Sequence, residues 1–218
     1  MKICSLLPSG TEILFELGLG DSIVGVTDLC DYPEAVKNKR IVSRSKIDVD
    51  ILTSEEVESE MHRILDSGEY LFELNQDLLT QMNPDVILTQ DLCYFCEIDS
   101  SVVTKSVSGM SKIPDVLTLN PRTVSEVLQT ITDVGRCCYA SNAAASLVSQ
   151  LNQRITAIKD KLLPLSNRPK AFSIEGINPL VIGGHWIPDL LNIAGAASGP
   201  YVAGCDAARI DFQEIVEY

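Results

Sequence analysis

The sequence predicts an α/β protein: a parallel-sheet lobe, a long linking helix and an incomplete second α/β lobe. Three observations carry that expectation. Residues 2–7 and 22–27 are strand-length apolar runs on either side of a helical stretch, a βαβ opening that favours a parallel sheet with right-handed crossovers. Apolar residues then recur at helical spacing from 123 to 135, and again over 143–163 as one long helix. Beyond Pro164 and Pro169 a new strand at 170–174 and a helix at 188–194 open a second unit.

The elements follow in order. After the first strand, Ser9 is expected to cap a helix, with Glu12 completing a capping box. Ile13, Leu14 and Leu17 supply the apolar stripe of that helix, and Gly18 and Gly20 stop it. Thr53 and Glu56 form a second capping box, heading a helix that runs to about Asp66 and ends at Gly68. Residues 76–82 read as a helix ended by Pro84, and 85–89 as a short apolar strand. Residues 116–119 give one more strand. Val124, Val127, Leu128, Ile131 and Val134 mark the next helix, and Leu147, Leu151, Ile155, Ile158 and Leu162 share one face of the long one. Phe212, Ile215 and Val216 suggest a last helix. The expected domains are therefore an N-terminal lobe over 1–122, a helical backbone and linker over 123–169, and a partial C-terminal lobe over 170–218. About fifty residues are too few to bury a core alone, which implies a fragment or a shortened form.

Composition excludes several function classes. The 218 residues are 45% hydrophobic, enough for a true core, and carry a net charge of −13. That sign opposes a nucleic-acid surface and docking on anionic membranes. No apolar run reaches the ~20 residues of a membrane span, so no membrane insertion is expected. The opening apolar stretch breaks at Pro8 and does not resemble a secretory leader, which implies a cytoplasmic location. Seven cysteines, two of them adjacent at Cys137 and Cys138, argue against a disulfide framework. Cys4, Cys137 and Cys138 lie in apolar patterns and are expected in the core.

Four segments stand out as strand-end loops: Cys30-Asp31-Tyr32-Pro33, Gln90-Asp91-Leu92-Cys93-Tyr94-Phe95-Cys96, Glu175-Gly176-Ile177-Asn178-Pro179 and Gly183-Gly184-His185-Trp186-Ile187-Pro188. Each is rich in thiols, carboxylates, aromatics, an imidazole or turn residues. Loops at the carboxyl ends of strands are where open α/β sheets bind ligands.

Several of these stretches resemble a known family. Ser5-Leu6-Leu7-Pro8-Ser9-Gly10-Thr11-Glu12-Ile13-Leu14, Gly25-Val26-Thr27 and Asn83-Pro84-Asp85-Val86-Ile87-Leu88-Thr89 resemble the class III, helical-backbone periplasmic binding proteins. Those proteins carry vitamin B12 or iron–siderophore complexes to ABC importers. Cys30-Asp31-Tyr32-Pro33, Thr89-Gln90-Asp91-Leu92-Cys93 and Gly184-His185-Trp186-Ile187-Pro188-Asp189 are similar to a cytosolic, cobalamin-binding-like subgroup. The resemblance implies two α/β lobes joined by a rigid helix, with a small-molecule or metal-complex ligand held between them and an ABC importer as partner. The candidate ligand contacts in these segments and the strand-end loops are Pro8, Ser9, Tyr32, Asp91, Tyr94, Phe95, Glu175, His185 and Trp186. The chain departs from the pattern in lacking an export signal, in its short second lobe and in Leu29 before Cys30, where a more polar residue is expected.

The loop chemistry leaves alternatives open. Cys93-x-x-Cys96 suits packing, metal ligation or redox chemistry, although the aromatic pair between the thiols is unlike a thioredoxin motif. Cys30, Cys93, Cys96 and His185 would together make a Cys₃His set for zinc or iron, the basis of an alternative reading as a metal-dependent enzyme or redox protein. His185 or a thiolate could equally ligate the cobalt of cobalamin or a related corrinoid. His185 could also simply pack a turn. Tyr32, Tyr94, Phe95 and Trp186 suit either an apolar pocket for a flat ring or a seal between lobes. Glu175 could accept from a ligand amide or cap the helix near Pro188. His62 lies on a charged helix face. No nucleophile elbow, phosphate-binding glycine loop or dinucleotide fingerprint is present, so no catalytic set is expected.

Overall fold

Parallel strands buried on both faces need continuous apolar runs, and the first half of the chain supplies them. The computed structural model describes residues 1–92, 100–162 and 167–218. It divides into two units, residues 1–120 with 132–144 and residues 121–131 with 145–218.

The first unit runs β1 (Ile3–Ser5), α1 (Pro8–Glu16), β2 (Ile23–Thr27), β3 (Arg40–Ser45), α2 (Ser54–Asp66), β4 (Phe72–Leu74), α3 (Gln76–Met82), β5 (Val86–Thr89), α4 (Ser100–Val107) and β6 (Asp115–Thr118). These form a six-stranded sheet in the order β4-β3-β2-β1-β5-β6. All pairings are parallel except that of β4 with β3. From β1 the chain winds outward to β3, then returns past β1 to β5 and β6. The winding direction therefore reverses between β1 and β5, the place where such sheets leave a crevice at their carboxyl edge. Ile3, Cys4, Leu6, Ile87 and Leu88 are fully buried at the centre. Leu79, Met82, Val103 and Val107 from the covering helices pack in the same apolar cluster as Cys4, Leu6 and Ile87.

Two further helices follow, α5 (Val124–Cys137) and the 22-residue α6 (Ser141–Leu162), the long helix the periodicity predicts. At 1.5 Å per residue α6 is about 33 Å long. The second unit then adds β7 (Ile174–Ile177), β8 (Leu180–Ile182), α7 (Ile187–Ile193), β9 (Ala208–Arg209) and α8 (Phe212–Glu217). Its sheet, β7-β8-β9, is antiparallel throughout. Among the described residues no helix is long and apolar enough to cross a membrane.

Several local expectations change. Ser9 does not cap α1. The N-cap is Leu7 and Pro8 occupies the first turn, because the fixed φ of proline suits that position and moves the helix start back. The Thr53–Glu56 capping box forms as expected, Glu56 N donating to Thr53 Oγ1 at 3.3 Å and Thr53 N to Glu56 at 2.8 Å. Asn83, in the left-handed conformation, ends α3 ahead of Pro84. The sequence reading gives no strand at β3, since Arg40 and Arg44 break its apolar run, nor at β4, which is only three residues long. Residues 170–173 are not a strand. Lys170 makes only an isolated bridge to Ala197, and the strand proper begins at Ile174 as one arm of a hairpin turning at Asn178-Pro179.

Candidate functional site

In the first unit the predicted residues leave the carboxyl ends of β1, β2 and β5, which share one sheet edge. Pro8 and Ser9 open α1 immediately after β1, Ser9 exposed. The Thr11 hydroxyl donates to the Leu7 carbonyl at 3.2 Å and lies 3.1 Å from Cys30 Sγ. With its proton so engaged, the Thr11 oxygen is left to accept from the Cys30 thiol, which holds the loop after β2 on the first turn of α1. That loop is also tied to β3: the Asp28 carboxylate accepts from Ser45 N at 3.1 and 3.2 Å. Tyr32, beyond this anchored stretch, is 58% exposed and presents its ring to solvent.

Asp91 has a structural task of its own. Its carboxylate accepts from Ser100 N and from the Ser100 hydroxyl, both at 2.6 Å, at the start of α4. Its backbone N–H donates to Asn120 Oδ1 at 2.7 Å, joining the ends of β5 and β6. Any ligand contact at Asp91 would use acceptor capacity beyond these two bonds.

In the second unit the Gly183–Gly184–His185–Trp186 loop leads from β8 into α7. His185 has φ 52°, in the left-handed region, and its main chain is held on both sides. Its N–H donates to the Cys205 carbonyl at 2.6 Å and its carbonyl accepts from Gly204 N at 2.9 Å. Gly184 is needed because a Cβ there would lie 2.2 Å from Ala207 N. Glu175 reaches over from β7, with Oε1 3.0 Å from where a Gly183 Cβ would stand. The N-cap of α7 is Trp186, which makes no side-chain capping bond. The His185 and Trp186 rings are 6.0 Å apart and tilted by 39°.

His185 Nε2 is buried without a hydrogen-bond partner. An orphaned buried polar atom costs about 1–3 kcal/mol and calls for an explanation. The Asp206 carboxylate stands close by, with Oδ1 3.7 Å away. That carboxylate is itself taken by Arg122 Nη2 at 2.6 Å, and Arg122 Nε donates to the Gly204 carbonyl at 3.1 Å. Sequence reasoning missed Arg122, Asp206 and Cys205. The glycine at 204 marks a turn, but nothing in the linear sequence pairs positions 122 and 206.

Cys93, Tyr94, Phe95 and Cys96 lie outside the described residues. Cys30 belongs to the first unit and His185 to the second. Among the described residues no group of three or more His, Cys, Asp or Glu is arranged to hold a metal. Burial, with a smaller contribution from Cys30, pushes the Cys4 thiol up to about 12. Burial likewise lifts Cys138 to about 12 and raises Cys137. These three stay protonated near neutrality and are poor nucleophiles or metal ligands. Cys4 and Cys138 lie in the core as expected, whereas Cys137 is only half-buried, because its position on α5 faces partly outward. A cavity of about 710 Å³ in the second unit, lined by Val124, Leu128, Ile155, Lys159, Arg168 and Asn192 among others, contains none of the predicted site residues.

The model of the periplasmic binding protein family matches residues 3–218. An uncharacterised ABC transporter substrate-binding lipoprotein of Bacillus subtilis (strain 168) is 28% identical over 180 residues, 80% of this chain and 46% of that protein. A vitamin B12-binding protein of Vibrio vulnificus (strain YJ016) is 44% identical over 45 residues, 21% of this chain and 16% of its own. The chain thus spans less than half the length of the curated relatives it matches. Among solved structures, a periplasmic heme-binding protein of Vibrio cholerae superposes with a TM-score of 0.72 at 16% identity, covering 100% of this chain and 72% of that one. The α/β architecture of the helical-backbone binding proteins is therefore the fold of this chain. The relatives that match are named as solute-binding proteins. The cytoplasmic expectation is corrected: the matching proteins are periplasmic or lipoproteins, and a folded α/β domain carries no record of its compartment in its core pattern. With the family model matched along nearly its whole length, the chain belongs to the periplasmic binding protein family.

Proposed function

We propose that this chain is the substrate-binding component of an ABC importer and takes a large, flat metal complex of the corrinoid or heme type. The observation that supports the reading is the position of Pro8, Ser9 and Asp91 just past the carboxyl ends of β1 and β5, the two strands between which the winding of the parallel sheet reverses. Tyr32 adds an exposed aromatic ring on the same edge. In the second unit Glu175, His185 and Trp186 sit on one hairpin and the loop leaving it, and the indole and imidazole offer a flat surface and a nitrogen donor. Relatives that bind vitamin B12 and heme support this ligand class. In the second unit the Trp186 indole suits the weakly polar face of a macrocycle, and the Glu175 carboxylate suits an amide on its rim.

The test is an absorbance titration of the purified chain with cyanocobalamin and, separately, with hemin. Saturable spectral change with one of them is expected, weakened roughly tenfold or more in Trp186→Ala and Tyr32→Ala, in line with aromatic anchors at binding sites. Failure of both compounds to bind the folded wild-type chain would refute the assignment.

A further inference from the structure

We infer that Asp206, anchored by Arg122, is a positioning residue for His185: its carboxylate takes the Nε2–H of the imidazole, so the ring meets the ligand through Nδ1. The part of this inference that concerns a ligand rests on the function proposed above. The part that concerns the ring does not.

Four observations converge. First, the ring has little freedom at its base. The His185 main chain is gripped by the 204–205 turn through two hydrogen bonds, of 2.6 and 2.9 Å. Gly184 is pressed against the backbone of Asp206 and Ala207, so the two loops move as one piece. Second, the imidazole is turned in a definite sense. The side chain keeps 14% of its exposure, yet Nε2 is shut off from solvent, so the edge shown to solvent is not the Nε2 edge. Third, a carboxylate stands close to the buried nitrogen: Asp206 Oδ1 is 3.7 Å away, and a small rotation of the imidazole brings Nε2 within bonding range. Fourth, that carboxylate is not loose. Arg122 Nη2 holds its Oδ1 at 2.6 Å, and Arg122 Nε holds the Gly204 carbonyl at 3.1 Å, so one guanidinium fixes both the carboxylate and the turn that carries it.

A carboxylate only accepts, and therefore selects the tautomer with the proton on Nε2. The lone pair is then on Nδ1, at the other edge of the ring. Outer carboxylates that fix a histidine's tautomer and orientation in this way strengthen the donor nitrogen, and their loss lowers metal-complex affinity by about 10- to 100-fold. Arg122 and Asp206 thus act through His185 and need not touch the ligand.

The experiment is nitrogen-15 NMR of the imidazole rings in the full chain at about pH 8.5, well above the ordinary imidazole value of ~6.5. The chain has two histidines, and His62→Gln leaves the His185 signals alone. Wild type is expected to show the Nε2–H tautomer. Asp206→Ala is expected to shift the ring toward the Nδ1–H form or a mixture, and Arg122→Gln, which removes the anchor of both the carboxylate and the turn at Gly204, to do so in part. A wild-type ring already in the Nδ1–H form overturns the inference, as does an unchanged tautomer in folded Asp206→Ala. Should that variant not fold, the wild-type spectrum and Arg122→Gln still decide. In parallel, hemin and cyanocobalamin are titrated into wild type and Asp206→Ala. A loss of affinity of about tenfold with an unchanged melting transition supports the positioning role, and equal affinity in the two overturns it. If neither compound binds wild type, the proposed function fails while the NMR result still settles the state of the ring.

Discussion

Gly184 and Ala207 meet backbone to backbone: a Cβ on Gly184 would stand 2.2 Å from the Ala207 nitrogen and 2.4 Å from the Asp206 carbonyl carbon. No side-chain rearrangement relieves such an overlap, because the obstacle is main chain on both sides. The contact fuses the loop after β8 to the turn before β9, and so determines where His185 points. Gly184→Ala should destabilise the fold by about 1–3 kcal/mol, as overpacking does, and should weaken ligand binding with it. Gly109→Ala, where nothing stands within 4 Å of the new methyl, should stay within about 0.5 kcal/mol of wild type. Urea unfolding curves of the two variants check the contrast.

The Asp91 carboxylate holds the first residue of α4. Asp91→Ala should cost about 1 kcal/mol through those lost bonds, and should raise hydrogen exchange at the Ser100 amide. Asp91→Asn keeps one acceptor oxygen and should recover part of the protection. Exchange at Ser100 unchanged in Asp91→Ala would contradict the capping role.

Leu88 lies at the centre of the six-stranded sheet with no exposed surface. Leu88→Ala should lower stability by about 2–5 kcal/mol, since the rigid strands on either side cannot close the cavity. The readout is the midpoint of chemical unfolding at constant slope. A cost below 1 kcal/mol would mean the site collapses, contrary to its position between β1 and β6.

Cys4 sets an alkaline limit. Burial lifts its thiol from an ordinary 9.0 to about 12 in the folded chain. The folded state therefore holds this proton more tightly than the unfolded one. The resulting stabilisation is complete below pH 9 and is lost as pH rises from 9 toward 12, at up to about 1.4 kcal/mol per pH unit for this one group. Unfolding free energy measured between pH 8 and pH 11 should fall in wild type, and less steeply in Cys4→Ala. Parallel slopes for the two proteins would rule the effect out.

The resemblance and the periodicities identified the family fold, and the reasons are local. The 2.0- and 3.6-residue repeats are imposed on any chain that buries one face of a strand or helix, and both can be seen within a window of ten residues. Thr53 and Glu56 could be read as a cap because both partners lie within one turn. Ser9 could not be ruled out in the same way, because whether Pro8 or Ser9 leads the helix depends on how β1 delivers the chain.

The sequence by itself determined the long helix over α6, the burial of Cys4 and Cys138, and the apolar central strands. Tertiary structure alone decided which side chains meet: Asp91 with Ser100, Thr11 with Cys30, and Arg122 with Asp206 beside His185. The physical reason is distance along the chain. Burial patterns come from each segment's own side chains, whereas a contact between residues 84 positions apart depends on strand order, register and the path of a turn, none of which a local pattern encodes.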